Sequence, residues 1–310
     1  MNPEDTNELQ SKIKELKAEK NAVLLVHNYQ VPEIQEIADF LGDSLELCRK
    51  AQGVEADIIV FCGVDFMAET ASILNPEKRV LLPNLNARCP MAAQLPVKTL
   101  LEVKRAHPGV PVVLYVNTLA EAKAECDVVC TSANASQIVE KLGAKEVIFG
   151  PDWNLGYYVS KRTPGVKLIS APAHGFCNTH RLLGNGDKAM ELKRQHPDAE
   201  LLVHPECEPE LQERAGYVLS TGGIYRRCKE SPAKTFIIAT EIGMIDRLRR
   251  EIPGKVYLPA DSNLECPTMK RITLQNTYEA LRDEKPVVKV PEELRLRALR
   301  PIQRMLEMSR

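Results

Sequence analysis

The sequence predicts an α/β protein built from three related α/β domains, with parallel sheets arranged with pseudo-threefold symmetry around a central active site. Three observations predict this fold. Short apolar runs alternate with helical patterns along the chain, the same landmarks recur at spacings of 88 and 89 residues, and no low-complexity linker interrupts the 310 residues. Apolar strands separated by helices are typical of parallel βαβ units, because the chain must cross over between parallel strands.

The elements follow in order along the chain. Residues 5–19 have an amphipathic pattern that predicts an N-terminal helix. Nine β-rich runs come next, separated by helical patterns; they are residues 22–27, 56–61, 79–83, 110–116, 145–150, 166–170, 200–204, 234–240 and 255–259. Residues 291–309 predict a closing helix interrupted near Pro301, because proline cannot donate the hydrogen bond that a helix interior requires.

Strand ends reveal an internal repeat. Polar tripeptides that follow apolar strands begin at His27, Tyr115 and His204, which stand 88 and 89 residues apart. The later strand ends at Pro83, Ala171 and Ala260 keep the same spacings. We therefore expect four segments: residues 1–108 hold the N-terminal helix and first repeat, 109–197 the second repeat, 198–285 the third repeat, and 286–310 a C-terminal helical tail.

Three of the nine cysteines fall in the register of the repeat. Cys89, Cys177 and Cys266 each lie six residues after an equivalent strand end. Ligand crevices of open parallel sheets lie outside the carboxyl ends of the strands, so three domains facing one axis bring these thiols together. Soft sulfur ligands suit zinc or an iron–sulfur cluster, and a cubane held by three cysteines leaves one iron open. Most of the other six are expected to be buried small hydrophobic residues.

Three hydroxyl residues share the same register: Ser44, Ser132 and Thr221. Each lies where a helical pattern begins, so we expect each to be a helix N-cap. A helix N-terminus that carries a hydroxyl is also a site for anions. Three of them aimed at one cavity suit a substrate with several carboxylates or a phosphate.

The strand-end tripeptides supply a third set of equivalent side chains, which are His27, Tyr29, Tyr115, Asn117, His204 and Glu206. Imidazole, phenol and carboxylate groups that meet in a cleft can transfer protons. We expect catalytic roles for the two histidines, the two tyrosines and the glutamate, with Glu206 and the tyrosines as the best acid–base candidates. We expect only local structural roles for the remaining histidines, which are His107, His174, His180 and His196. Trp153 and Arg181 are further candidates for the cavity wall.

Composition and charge exclude several classes of protein. The formal net charge is -1, from 41 basic and 42 acidic residues, so there is no electrostatic footprint for nucleic acid or an anionic membrane. No apolar run approaches the roughly 18 residues of a membrane span, and residues 1–20 lack the apolar region of a signal peptide. The basic runs 247–255 and 294–300 are flanked by acidic residues and predict solvated helix faces. We therefore expect a cytoplasmic protein with a small ligand.

The same segments resemble the quinolinate synthase family. The resemblance covers nearly the whole chain, from HNYQVPEIQEIADFLGDSLELCRKA through TSANA, GPDWNLGYYV, VHPEC and STGGI to CPTMKRITL. It implies an enzyme of the transferase or lyase type in de novo NAD biosynthesis, which condenses iminoaspartate with dihydroxyacetone phosphate to quinolinate with loss of phosphate and water. It also implies one [4Fe-4S] cluster per chain, with three cysteine ligands that match Cys89, Cys177 and Cys266 and one open iron.

The resemblance assigns further residues and a partner. By residue-to-residue match the family's active site is lined by His27, Tyr29, Ser44, Tyr115, Asn117, Ser132, His204, Glu206 and Thr221. In that assignment Tyr29 and Glu206 shuttle protons, while the others, with Glu206, bind and orient substrate. An enzyme that produces iminoaspartate is the implied partner, with no nucleic acid and no membrane.

Two other functions remain open from the residues alone. One is a non-enzymatic iron–sulfur or zinc sensor with a small-anion pocket. The other is a sugar-phosphate binding module whose cysteines all lie in the core. Replacement of Glu206 distinguishes the sensor from the enzyme, and replacement of the three cysteines distinguishes the binding module from it.

Overall fold

The structure, a computed structural model, describes residues 2–310 and contains three four-stranded sheets whose strand pairs are all parallel. The first sheet holds β1 (Ala22–His27), β2 (Phe40–Gly42), β3 (Ile58–Cys62) and β4 (Arg79–Leu81). The second holds β5 (Val112–Tyr115), β6 (Val128–Cys130), β7 (Glu146–Gly150) and β8 (Lys167–Ser170). The third holds β9 (Glu200–Val203), β10 (Tyr217–Val218), β11 (Thr235–Ala239) and β12 (Val256–Pro259).

All three sheets have one topology. The orders are β2-β1-β3-β4, β6-β5-β7-β8 and β10-β9-β11-β12, so each sheet repeats the order second, first, third, fourth. The predicted class of three related α/β domains with parallel sheets is confirmed.

Helices connect the strands and cover the sheets. The helices of the first part of the chain are α1 (Pro3–Glu19), α2 (Pro32–Gln35), α3 (Ser44–Gln52), α4 (Asp65–Leu74), α5 (Pro90–Ala93) and α6 (Val97–Ala106). Those of the middle part are α7 (Ala120–Lys123), α8 (Ala135–Leu142), α9 (Trp153–Arg162), α10 (Asn178–Arg181) and α11 (Asp187–Gln195). The last part holds α12 (Pro209–Arg214), α13 (Thr221–Glu230), α14 (Gly243–Glu251), a 3-10 turn (Met269–Arg271), α15 (Leu274–Asp283) and α16 (Glu292–Met308).

The central strands are largely apolar because both faces of each sheet are covered. Every residue of β3 is buried, and so are the last four residues of β11. Such continuous apolar runs are typical of parallel sheets with helices on both faces. Among residues 2–310, no helix combines the length and apolar character that crossing a membrane requires.

The structure adds three strands to the nine that the sequence predicts. They are β2, β6 and β10, the edge strands next to the first strand of each sheet. Each has only two or three residues. Segments this short show no alternation of apolar and polar residues, so pattern reasoning does not detect them.

The predicted interruption of the closing helix is wrong, since α16 runs unbroken from Glu292 to Met308 with Pro301 inside it. Pro301 is buried in the same helix face as Ile302 and Met305, and α16 packs on β6, α7, α8 and α4. Burial of this face outweighs the single helix hydrogen bond that the proline cannot donate.

One backbone hydrogen bond recurs at each cysteine loop. The amides of Asp65, Trp153 and Ile242 donate to carbonyl oxygens at 2.9, 2.7 and 2.9 Å; the acceptors are Ala87, Gly175 and Leu264. Each acceptor lies two residues before a cysteine of the repeat register. Equivalent bonds therefore hold the three cysteine loops against the ends of β3, β7 and β11.

Candidate active site

A cavity of about 130 Å³ lies at the carboxyl ends of the sheets and is bordered by loops from all three. The residues of the three repeated sets all line it: His27, Tyr29, Ser44, Cys89, Tyr115, Asn117, Ser132, Cys177, His204, Glu206, Thr221 and Cys266. The structure thus brings together residues that are far apart in the chain, as the repeat predicts.

Glu206 lies at the centre of a buried hydrogen-bond network. The hydroxyl of Tyr115 donates to Oε1 of Glu206 at 2.6 Å. On the other carboxylate oxygen, Nδ1 of His180 lies 2.9 Å from Oε2. Both partners are almost fully buried, so the carboxylate is held in one orientation within a low-dielectric site.

The expectation that His180 has only a local role is wrong. His180 lines the cavity, and its Nδ1 also lies 3.3 Å from Sγ of Cys177. The sequence held a signal for this position, because His180 follows Cys177 by three residues. One turn of α10 therefore places the imidazole beside the thiol.

Thr240 lies between two of the acid–base candidates, Tyr29 and Glu206, and was not identified from the sequence. Its Oγ1 lies 2.6 Å from the Tyr29 hydroxyl and 2.8 Å from Nε2 of His180. A chain of hydrogen bonds therefore runs from Tyr29 through Thr240 and His180 to Glu206. The positions equivalent to Thr240 are Gly63 and Pro151, so the repeat gave no indication of it.

Electrostatics favour an ionised Glu206 carboxylate that is surrounded by neutral histidine and tyrosine side chains. Burial acts to raise the pKa of Glu206, but hydrogen bonds from His180 and Tyr115, together with the electrostatic effect of the His180 and His204 imidazoles, outweigh burial and leave this pKa below its ordinary value. Burial lowers the pKa of His27 to about 3 and the pKa of His204 to about 3, so both imidazoles are neutral at pH 7. Burial, together with the charge of Glu206, raises the pKa of Tyr29 and of Tyr115 well above the ordinary value.

These shifts separate acid from base. Glu206 is a carboxylate that can accept a proton, and the two phenols remain protonated and can donate. Environments that push the pKa values of neighbouring groups apart are the usual basis of acid–base assignments in active sites. The buried Oδ1 of Asn117 has no hydrogen-bond partner within the protein, so this cavity residue offers an acceptor to a ligand.

The three hydroxyl residues line the cavity, but the prediction that they are N-caps is wrong. The caps of α3 and α13 are Asp43 and Ser220, one residue earlier, and Asn134 precedes α8. Asp43 caps α3 because its carboxylate accepts from two helix amides while Glu46 closes a capping box. Ser44 and Thr221 instead begin their helices, and both residues border the cavity.

Other sequence candidates lie outside the cavity. Trp153 and Arg181 border a separate surface pocket, where the guanidinium of Arg181 stacks on Phe176.

The chain matches a known protein family along nearly its whole length. The sequence profile described as "Quinolinate synthetase A protein" matches residues 11–307. This chain belongs to the quinolinate synthetase A family. Over 306 residues it is 52% identical to a protein named quinolinate synthase from Pyrococcus furiosus, covering 99% of this chain and 100% of the relative. Over 304 residues it is 55% identical to a protein of that name from Thermococcus onnurineus, covering 97% and 99%.

A third relative is about as similar. The quinolinate synthase of Geobacter sp. (strain M21) is 51% identical over 302 residues, covering 97% of this chain and 98% of the relative. These matches confirm the resemblance seen in the sequence. They favour an enzyme over a sensor, because the relatives are named as enzymes.

The cysteines of this family member suit a metal centre. Burial raises the pKa of the Cys89 and Cys177 thiols. Cys266 raises the pKa of Cys89 further, and Cys266 and Cys89 raise that of Cys177. Three thiols that share a buried cavity are stable as thiolates only with a cation between them. A second ligand set overlaps this trio, because one ligand atom from each of Cys177, His180 and Glu206 lies within 4.8 Å of the others.

Carboxylates hold two of these cysteine loops. The amide of Cys89 donates to Oδ1 of Asp65 at 3.0 Å, and the amide of Cys266 donates to Oε1 of Glu241 at 3.1 Å. Both carboxylates lie two or three residues after the third strand of their sheet. These contacts hold the backbone of both cysteines in place.

Proposed function

We propose that this chain is a quinolinate synthase, which condenses iminoaspartate with dihydroxyacetone phosphate to quinolinate with loss of phosphate and water in de novo NAD biosynthesis. One observation carries the proposal. The residues selected from the sequence line one cavity, in a chain that is about half identical over nearly its full length to proteins of that name. A cytoplasmic location and supply of iminoaspartate by a partner enzyme belong to the same proposal.

Cys89, Cys177 and Cys266 would hold the [4Fe-4S] cluster. Their loops reach the same cavity, and thiolates are the ligands that iron–sulfur clusters prefer. When bound, the cluster would supply a Lewis-acidic iron without a protein ligand beside the substrate. His180 and Glu206 lie next to Cys177, so both border the site that would hold the cluster.

Glu206 would act as the general base. Its carboxylate accepts from the Tyr115 hydroxyl through Oε1, and the same contact orients it for a proton on the substrate. The protonated phenol of Tyr29 would donate to a leaving hydroxyl, and the path through Thr240 and His180 would return the proton. These two groups supply the proton transfers that dehydration needs.

The cavity wall would bind the anionic groups of the substrates. Ser44 and Thr221 present hydroxyls at the first turns of α3 and α13, and Ser132 lies near the start of α8. Helix N-termini attract carboxylates and phosphate. The neutral imidazoles of His27 and His204 each have one N–H to donate, which orients an anion without the cost of burying another charge.

Metal content and turnover of the anaerobically purified protein test the proposal. We expect brown protein with about four irons and four sulfides per chain, as a [4Fe-4S] cluster requires, and quinolinate from the two substrates. Cys89→Ser, Cys177→Ser and Cys266→Ser should each lose iron and turnover. Cys62→Ser is the matched control, because Cys62 is fully buried outside the trio. A colourless protein with one zinc per chain would instead favour the ligand set Cys177, His180 and Glu206.

A further inference from the structure

Three buried side chains outside the cavity occupy equivalent positions in the repeat. They are Gln35, Lys123 and Gln212, and they stand 88 and 89 residues apart. Their exposed fractions are 3%, 0% and 7%. Gln35 and Lys123 are the last residues of α2 and α7, and Gln212 lies within α12. Each of these short helices follows the first strand of its sheet, so each side chain can reach back to a strand-end loop.

Gln212 holds the loop that carries Glu206. Its Nε2 lies 2.9 Å from the carbonyl oxygen of Pro205 and 2.8 Å from that of Cys207, so it contacts the backbone on both sides of Glu206. The same nitrogen lies 3.0 Å from the carbonyl oxygen of Asn154 in α9. One amide group thus joins the Glu206 loop to a helix beside the second sheet.

Gln35 makes the equivalent contacts around Tyr29. Its Nε2 lies 3.1 Å from the carbonyl oxygen of Asn28 and 2.8 Å from that of Gln30. It also lies 3.0 Å from the carbonyl oxygen of Gly243, at the start of α14 beside the third sheet. The pattern at Gln212 therefore recurs, including the contact with a neighbouring repeat.

Lys123 replaces glutamine in the middle repeat. Its Nζ lies 2.6 Å from the carbonyl oxygen of Thr118, directly after Asn117, and 3.1 Å from Oγ1 of Thr70 in α4 beside the first sheet. The ring of Phe66 lies below the ammonium group, 5.4 Å away at its centroid. An amine on a long stem thus performs the same bridging as the two amides.

The three bridges close a ring. The first repeat contacts the third through Gln35, the third contacts the second through Gln212, and the second contacts the first through Lys123. Each bridge also ends beside one member of the equivalent set Tyr29, Asn117 and Glu206. A shift between two repeats would therefore move a cavity side chain.

We propose that Gln35, Lys123 and Gln212 are positioning residues, which fix Tyr29, Asn117 and Glu206 relative to one another by locking each repeat to the next. The effect on turnover rests on the proposed function, whereas the effect on the loops does not. Misplacement of a reacting group by about 1 Å can lower a rate by about a hundredfold. Loss of a bridge should therefore act on kcat more than on KM.

Two isosteric variants remove a bridge without changing the length of the side chain much: Lys123→Met and Gln212→Met. We expect faster hydrogen exchange at residues 116–119 and 205–208 respectively, and a kcat about 10- to 100-fold lower with KM changed less than about threefold. Lys123→Gln, which copies the donor of the other two repeats, should keep both properties close to those of the unmodified enzyme. Gln195→Met on the exposed end of α11 is the control.

Three results would overturn the proposal. The first is unchanged exchange in both methionine variants, and the second is a lower denaturation midpoint with unchanged kcat in the folded enzyme. The third is a Lys123→Gln variant that behaves like Lys123→Met. If Gln212→Met does not fold, Gln212→Asn shortens the side chain by one carbon. This variant should show smaller changes in hydrogen exchange and in kcat, in the same direction. If the unmodified protein makes no quinolinate, the proposed function fails, and hydrogen exchange still decides the positioning role.

Discussion

Glu206 is only 4% exposed, and its pKa lies below the ordinary value because Tyr115 and His180 both donate hydrogen bonds to its carboxylate. Glu206→Gln keeps the size of the side chain but cannot accept a proton. We expect quinolinate formation to fall by about 10²- to 10⁴-fold, the usual contribution of a general base, with iron content unchanged. Glu210→Gln, an exposed neighbour, is the control. Normal turnover with Glu206→Gln would remove the base assignment.

The buried histidines predict how stability depends on pH. Burial lowers the pKa of His27 and the pKa of His204 to about 3, whereas the unfolded chain titrates near 6.5. Below about pH 6.5 the unfolded state binds more protons, so stability should fall towards pH 3 by about 1.4 kcal/mol per pH unit for each histidine. His204→Gln should flatten this slope in denaturant titrations of cluster-free protein. An equal change with the exposed His196→Gln would contradict the assignment.

Among single residues, the sequence predicted the site residues that have chemically related counterparts in the other repeats, and it missed those that have none. Cys89, Tyr29 and Glu206 could be selected because equivalent positions carry related chemistry. Thr240 has no chemical counterpart in the other repeats, and its role depends on contacts with Tyr29 and His180 that only the folded chain brings together.

At the level of elements, Glu241, which follows β11, holds the loop that carries Cys266. Its Oε1 accepts from the Cys266 amide and lies 2.8 Å from Nζ of Lys270, while Oε2 accepts from the amide of Gly243. Glu241→Gln turns one acceptor into a donor that faces these groups. Because residues behind metal ligands typically contribute 10- to 100-fold in affinity, we expect iron transfer to a chelator to be about 10- to 100-fold faster. Asp246→Asn in α14 is the control, and equal rates would contradict the prediction.

The elements themselves were only partly predictable. Long apolar runs such as β3 and β11 are clear in the sequence, because every residue is buried or nearly so. The caps were misplaced by one or two residues, since Asp43 and Ser220 compete with the hydroxyl residues beside them for the same helix amides. Which of two adjacent polar residues caps a helix depends on backbone angles that the sequence does not specify.

At the scale of the molecule, the spacing of 88 and 89 residues was the most informative feature of the sequence. It predicted three sheets of one topology and a shared cavity, and the structure has both. The segment boundaries at residues 108, 197 and 285 stay a prediction. The contacts between repeats, such as that of Gln212 with Asn154, could not be predicted, because they depend on how the three units are turned towards one another.

The closing helix α16 also joins units, since it packs on α4 beside the first sheet and on β6, α7 and α8 of the second. Ile302 is fully buried in this contact, whereas Leu296 on the same helix is 49% exposed. Ile302→Ala should lower the free energy of unfolding by about 2–5 kcal/mol through lost burial and the cavity left behind. Leu296→Ala should change it by less than about 0.5 kcal/mol. Denaturant unfolding measures both, and equal midpoints for the two variants would show that α16 is a tail rather than a link between the first two repeats.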